Sequence, residues 1–325
     1  MAKPPNTFID LINVTKFYRY GILGIPFPAV DNVTLAFTET PTIFTLAGES
    51  GCGKSTLAKI IAGIVRPDRG AVLYRGKNLW KLNKQERLRF RKEVQIILQD
   101  PYETFNPFEK VDNYLERTAV RIGGVPKDKS EEYIAKILNF VGLDYHDVVN
   151  KKPHEFSGGQ LQRVSIARAL LANPKFLIAD EPVSMIDASL RVEILNLFKR
   201  IKEERKVSIL YITHDLATAY YITDKLAIMY RGSIVEEGDV ETIVNKPHHP
   251  YTQLLISSLP DYRKGREWLY EEVKITSIEV KEFLFAGCKF HDRCPYAMDI
   301  CKSRIPPRVE VEPGHFVLCW LHAKK

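Results

Sequence analysis

No apolar run in these 325 residues approaches the roughly 20 that a membrane-spanning helix requires, so the sequence predicts no integral span. The opening Met1-Ala2-Lys3-Pro4-Pro5 begins no apolar stretch of signal-peptide type, and the expectation is a cytosolic chain that meets a membrane only through a partner. Internal repeats and low-complexity tracts are absent, which argues against solenoids and long disordered arms. Cysteine is scarce, five residues in all, and no close Cys-x-x-Cys pair of the usual zinc-site kind occurs. Charge of one sign is not segregated either. Lys and Arg number 47 against 40 Asp and Glu, for a net charge of +7, but segments 81–92 and 199–206 mix both signs. A pI near 9.0 permits nucleic-acid binding without demanding it; a solvated basic surface is the simpler reading, and no nucleic-acid partner is expected.

What is present is an ordinary globular composition, 45% hydrophobic and 27% charged, in a length that fits one large core plus a smaller unit. Apolar patterning reads as strands at 8–17, 29–37 and 41–46, then a glycine-rich loop, then helical spacing at 56–65. Residues 94–98 read as another buried strand, and 111–141 turn helical, with Ile134, Ile137, Leu138 and Val141 on one face. A helix at 161–171, a strand at 176–179, a helix at 190–201, a strand at 207–213 and a short helix at 216–221 follow. Such alternation implies an α/β fold with a mostly parallel sheet covered on both faces, interrupted by a helical insertion at about 101–159. Lys246-Pro247-His248-His249-Pro250 breaks the pattern, so the expected domains are 1–245 and a smaller 246–325 unit holding four of the cysteines.

The chemistry concentrates in a few short stretches. Gly48-Glu49-Ser50-Gly51-Cys52-Gly53-Lys54-Ser55 matches G-x-x-x-x-G-K-[ST] between an expected strand and an expected helix that opens at Thr56. Glycines at this spacing let successive backbone N–H groups turn inward around phosphate oxygens; Lys54 reaches the β- and γ-phosphates and the Ser55 hydroxyl ligates Mg²⁺. Asp180 and Glu181 end an apolar strand, which suits Asp180 to reach Mg²⁺ and Glu181 to polarise an attacking water as general base. Ser157-Gly158-Gly159-Gln160 precedes a helix, where an ordinary cap and an anion-binding N-terminus share the same residues.

Taken in order along residues 7–245, these motifs resemble the nucleotide-binding subunit of an ATP-binding-cassette transporter. The resemblance implies a RecA-like P-loop NTPase sheet with an antiparallel β subdomain and an inserted helical subdomain. It also implies roles by position. Phe156 to Gln160 looks like the family signature, with Phe156 where Leu is commoner; Ser157, Gly159 and Gln160 would contact the γ-phosphate held by a second chain. Gln99 matches the glutamine that contacts Mg²⁺ and senses the membrane subunit, and His214 the histidine that contacts the γ-phosphate. Ser184-Met185-Ile186-Asp187 matches a loop usually written Ser-Ala-Leu-Asp, with Asp187 facing the nucleotide interface. Tyr18 stands where family members stack an aromatic on adenine.

Further stretches are similar to the oligopeptide and dipeptide importer ATPases, F-type subunit: residues 95–102, Phe105-Asn106-Pro107, 153–160, 180–184 and His249-Pro250-Tyr251-Thr252. The tail with Cys288, Cys294 and Cys301, followed by Glu312-Pro313-Gly314-His315-Phe316, resembles their C-terminal extension. That implies a peripheral ATPase at the cytoplasmic face of the membrane. Its partners would be a different cassette as heterodimer mate, two transmembrane permease subunits and, indirectly, a solute-binding protein. Importers of oligosaccharides or another solute, and a soluble ATPase acting on nucleic acid or ribosomes, stand as alternatives. Cys288, Cys294, Cys301 and Cys319 can supply a tetrathiolate site, which suits zinc or an iron–sulfur cluster, with free or disulfide-paired thiols as the remaining alternative; the resemblance favours a [4Fe–4S] cluster with a structural role.

Overall fold

Short runs of β-branched and aliphatic residues form the centre of the chain, and their side chains alternate between two separate cores. The computed structural model describes residues 7–21, 24–257 and 283–323. Strands β1 (Thr7–Tyr20) and β2 (Ile25–Thr38) pair antiparallel, and β3 (Ile43–Ala47), buried along its whole length, leads into the glycine loop and helix α1 (Lys54–Ile61). Strands β4 (Arg69–Tyr74) and β5 (Lys77–Asn78) return to β1 and complete a four-stranded antiparallel sheet, order β2-β1-β4-β5. The helical spacing read over 56–65 stops at Ile61 because Gly63 takes the left-handed conformation, φ 71°, that terminates a helix.

Helix α2 (Lys84–Glu93), started by a reciprocal Asn83–Glu86 capping box, runs into β6 (Val94–Ile97). The helical insertion follows as α3 (Val111–Arg117), a π-helical segment Thr118–Gly123, α4 (Ser130–Phe140) and α5 (Tyr145–Val148). One continuous helical pattern thus becomes two helices, since Gly124 at φ 79° ends the first and Pro126 restricts the residue before it. Ile134, Ile137, Leu138 and Val141 face the core as their spacing predicts.

Helix α6 (Gly158–Leu171), β7 (Phe176–Asp180), α7 (Ala188–Arg205), β8 (Ser208–Thr213) and α8 (Leu216–Ile222) continue the alternation. Strands β9 (Lys225–Tyr230) and β10 (Ser233–Asp239) follow, then α9 (Val240–Asn245) and α10 (Pro250–Ser257). The last described part holds α11 (Asp299–Ser303), β11 (Arg308–Glu312) and β12 (His315–Leu318). The large sheet has the order β11-β12-β10-β9-β3-β8-β7-β6; the run from β9 to β6 is parallel and the other three strands are antiparallel.

Period-two alternation divides the parallel strands between cores. Ile43, Leu177, Ala179, Ile209 and Tyr211 join the core beneath the helical insertion, whereas Phe44, Phe176, Ile178, Leu210 and Ile212 join the one beneath the antiparallel sheet. A third core packs Tyr230 and Tyr251 against Phe290 of the tail. Glu236 and Glu237 pair with Val317 and Phe316, so the C-terminal residues extend the large sheet by two strands, an edge closure the sequence patterning did not reveal.

Candidate nucleotide site

The phosphate loop connects β3 to α1, and its shape depends on residues without a Cβ. At Gly53, φ 110°, a Cβ would lie 2.1 Å from the Ala29 carbonyl oxygen; at Gly48 it would lie 2.2 Å from that of Met229. Lys54 is buried, and its Nζ donates to the Gly48 and Glu49 carbonyls at 2.8 and 2.9 Å, folding the ammonium back into the loop. Cys52 is also buried; burial pushes its thiol up, with Lys54 opposing. Ser50, Gly51 and Thr56 fill the rest of the loop and the first helical turn.

Across the sheet, the Ser55 hydroxyl donates to Asp180 Oδ1 at 3.1 Å. Burial raises the Asp180 carboxyl above its usual value, the Ser55 bond opposes this, and the neighbouring Glu181 adds to it. Two hard oxygen donors around a buried, underpaired carboxylate fit a magnesium ion. Glu181 takes φ 45°, uncommon for a residue with a side chain, and donates its N–H to the Ile212 carbonyl at 2.9 Å. That conformation aims its carboxylate at β6 and β8: His214 Nδ1 stands 3.0 Å from Glu181 Oε2, and Gln99 Nε2 donates to the same oxygen at 3.4 Å. The structure therefore gathers Lys54, Ser55, Gln99, Asp180, Glu181 and His214 at the carboxyl ends of adjacent parallel strands, where ligands bind in open α/β sheets.

Other expected residues stand apart. Ser157 caps α6, accepting from the Gln160 amide at 3.3 Å while Gln160 Oε1 accepts from the Ser157 amide at 3.0 Å. Among the described residues, Ser157 makes no hydrogen bond to the Lys54 group. A Cβ on Gly159 would come 3.1 Å from Leu190 of α7, which keeps the signature turn close to the segment that Asp187 leads. Tyr18 is partly exposed, its ring 6.5 Å from that of Phe27.

Two residues with no role in the sequence reading touch the loop. Arg293 Nη1 donates to both carboxylate oxygens of Glu49, at 3.0 and 3.2 Å, and the Glu49 amide donates to the Tyr251 hydroxyl at 3.1 Å. No local signal marks Arg293, since the contact spans 244 residues.

The expected metal centre in the tail is not supported. Cys288, Cys294, Cys301 and Cys319 are free, and among the described residues no group of three or more Cys, His, Asp or Glu side chains could hold a metal ion. Burial raises the thiols of Cys288, Cys294 and Cys319, the last to about 11, and the neighbouring tail cysteines add to each of these shifts.

The ABC transporter family matches residues 30–184, and the oligopeptide/dipeptide transporter C-terminal region matches residues 235–301. The oligopeptide transport ATP-binding protein AppF of Bacillus subtilis is 36% identical, over 99% of each chain. The dipeptide transport ATP-binding protein DppF of Haemophilus influenzae is 33% identical, over 98% of each. Among solved structures, the ATP-binding cassette MJ0796 in a dimeric, ADP- and phosphate-bound state superposes with a TM-score of 0.64 at 28% identity, covering 71% of this chain and 98% of that one. With the Lys54 loop and the Asp180–Glu181 strand end in the positions described, the chain belongs to the ATP-binding-cassette transporter ATPases, in the group that carries the oligopeptide/dipeptide transporter C-terminal region.

Proposed function

We propose that this chain is the ATP-hydrolysing subunit that energises an importer of oligopeptides or dipeptides. The observation that carries the reading is the meeting of Gln99 and His214 on one oxygen of Glu181, beside the Ser55–Asp180 pair. In it, the loop of Gly48, Glu49, Ser50, Gly51, Cys52, Gly53, Lys54, Ser55 and Thr56 receives the triphosphate, and Lys54 exchanges its two loop carbonyls for the β- and γ-phosphates. Ser55, Asp180 and Gln99 are the residues that would hold Mg²⁺, which when bound neutralises charge developing on the phosphates. Glu181 takes the proton of the attacking water, and His214 fixes the carboxylate and reaches toward the γ-phosphate. Tyr18 offers its exposed ring to the adenine.

Ser157, Gly159, Gln160 and Asp187 have no nucleotide group within this chain to act on. Their exposed or half-buried places on the α6 and α7 ends suit a second cassette packed head to tail, and the F-type resemblance makes that mate a different chain. No helix among the described residues is long and apolar enough to cross a membrane, so the spanning part of an importer would be supplied by permease subunits, with this chain peripheral on the cytoplasmic face. The cysteine-bearing tail has a structural role in this reading, through Phe290 and the β12 edge.

Reconstitution with its permease partners and a solute-binding protein tests the proposal. The expected result is MgATP-dependent uptake of short peptides, abolished with Lys54→Met. Uptake of an oligosaccharide but no peptide would overturn the cargo assignment while leaving the ATPase assignment standing.

A further inference from the structure

The phosphate loop is held from outside by the C-terminal extension. Glu49 lies inside a loop built to accept a highly charged anion, and its side chain is only 11% exposed. A carboxylate there opposes a triphosphate, because like charges brought together in a partly buried site repel. Arg293 Nη1 covers both carboxylate oxygens and pairs the charge. Tyr251, wholly buried, takes the Glu49 amide hydrogen bond, and its ring lies 4.5 Å from Tyr230 and 5.4 Å from Phe290.

Arg293 is itself held in place. Lys289 Nζ reaches Asp31 at 2.7 Å and donates to the Arg231 carbonyl at 2.8 Å, while Arg231 Nη1 donates to the Lys289 carbonyl at 2.8 Å. The segment 289–293 is thus riveted to β2 and to the β9–β10 turn immediately beside the loop. On the adenine side the same extension supplies Phe283, whose ring packs 5.5 Å from Phe27, the neighbour of Tyr18.

We propose that Arg293 is a positioning residue for the nucleotide. By neutralising Glu49, it makes ATP affinity depend on the C-terminal extension. The inference rests on the loop's being the ATP site and goes further, in assigning to the extension a part in nucleotide binding.

MgATP titration and steady-state turnover on the full chain, alongside thermal melting, test it with Arg293→Met, Glu49→Gln and the double variant. Arg293→Met is expected to raise both the ATP Kd and KM about tenfold, about 1.4 kcal/mol, with kcat held within about twofold. In the double variant Glu49→Gln is expected to reverse the loss and bring the affinity back toward that of Glu49→Gln alone, because the charge that needed covering is gone. A brace for the fold would behave differently: the double variant would bind as weakly as Arg293→Met alone, and that result overturns the inference. So does an Arg293→Met chain that melts normally and binds ATP as tightly as the parent. If Arg293→Met does not fold, Arg293→Gln, shorter but polar and uncharged, takes its place with the same expected reversal by Glu49→Gln. A parent chain that binds no ATP refutes the site assignment instead, so the two failures are distinguishable.

Discussion

Glu181 Oε2 is shared: His214 Nδ1 stands 3.0 Å from it, and Gln99 donates to it from another strand end at 3.4 Å. A side chain held from two sides by residues of different strands has lost most of its rotamer freedom before any substrate arrives, which is what a general base needs. Replacement by Gln keeps the size and an acceptor oxygen for His214 but removes the basicity. Glu181→Gln should therefore bind MgATP within about threefold of the parent while kcat falls by about 10²–10⁴-fold. Equilibrium binding and single-turnover hydrolysis measure the two separately, and full turnover in this variant would remove Glu181 from the role of base.

Gly53 gives a backbone test of the same site. A methyl group there meets the Ala29 carbonyl at 2.1 Å, and the residue sits at φ 110°, where side chains are strained. Since β2 and α1 both lie in the core, neither can retreat cheaply. Gly53→Ala should lose measurable ATP binding and melt several degrees lower, a cost on the order of 1–3 kcal/mol. Unchanged affinity would mean that the loop is more adaptable than its packing implies.

What could be read from the sequence was whatever is local. Strand β3, the loop and the start of α1 occupy consecutive residues and carry their own glycine and hydrophobic signals. Ser157 and Gln160 make a capping box that three-residue spacing already predicts. Helix ends were misjudged where one glycine outweighed the apolar period, as at Gly63 and Gly124. The pairing of β10 with β12, like the contact of Glu49 with Arg293, joins residues far apart in the sequence and leaves no local trace. The clustering of the cysteines in the sequence carries over into the fold, where neighbouring thiols add to the raised values of Cys288 and Cys319, but among the described residues no group of three or more is arranged to hold an ion.

Asp180 is expected to separate stability from activity. Its carboxyl is raised chiefly by burial, which means that folding disfavours the charged form when no cation is bound. Asp180→Asn removes that cost, so the nucleotide-free chain should melt about 2 °C higher. The same change removes an anionic donor for Mg²⁺, and turnover at saturating ATP should drop by about 100-fold. A fall in both quantities would indicate that Asp180 braces the strand end instead of serving the cation.

The pH dependence of stability should carry the mark of His249. Burial lowers this imidazole to about 4, with the Glu236 charge opposing the shift and His322 adding to it. The geometry agrees, because Nδ1 accepts the Tyr251 N–H at 3.0 Å and so must be unprotonated in the fold. In the unfolded chain the same group titrates near 6.5. The unfolded state therefore takes up a proton first, and stability that is fully present above pH 6.5 declines as the pH falls toward about 4, by about 3 kcal/mol in all. Glu236 acts lower on the scale. Burial tends to raise it, but hydrogen bonds from His315 and from the amides of His248 and His249 hold it below the usual carboxylate range, so its contribution is lost only in more acidic solution. Asn at position 249 can still accept the Tyr251 N–H through its amide oxygen but does not titrate. Urea midpoints measured at pH 7, 6 and 5 should fall steeply for the parent and markedly less for His249→Asn; parallel slopes for the two would mean that His249 is not the group that links acid to unfolding.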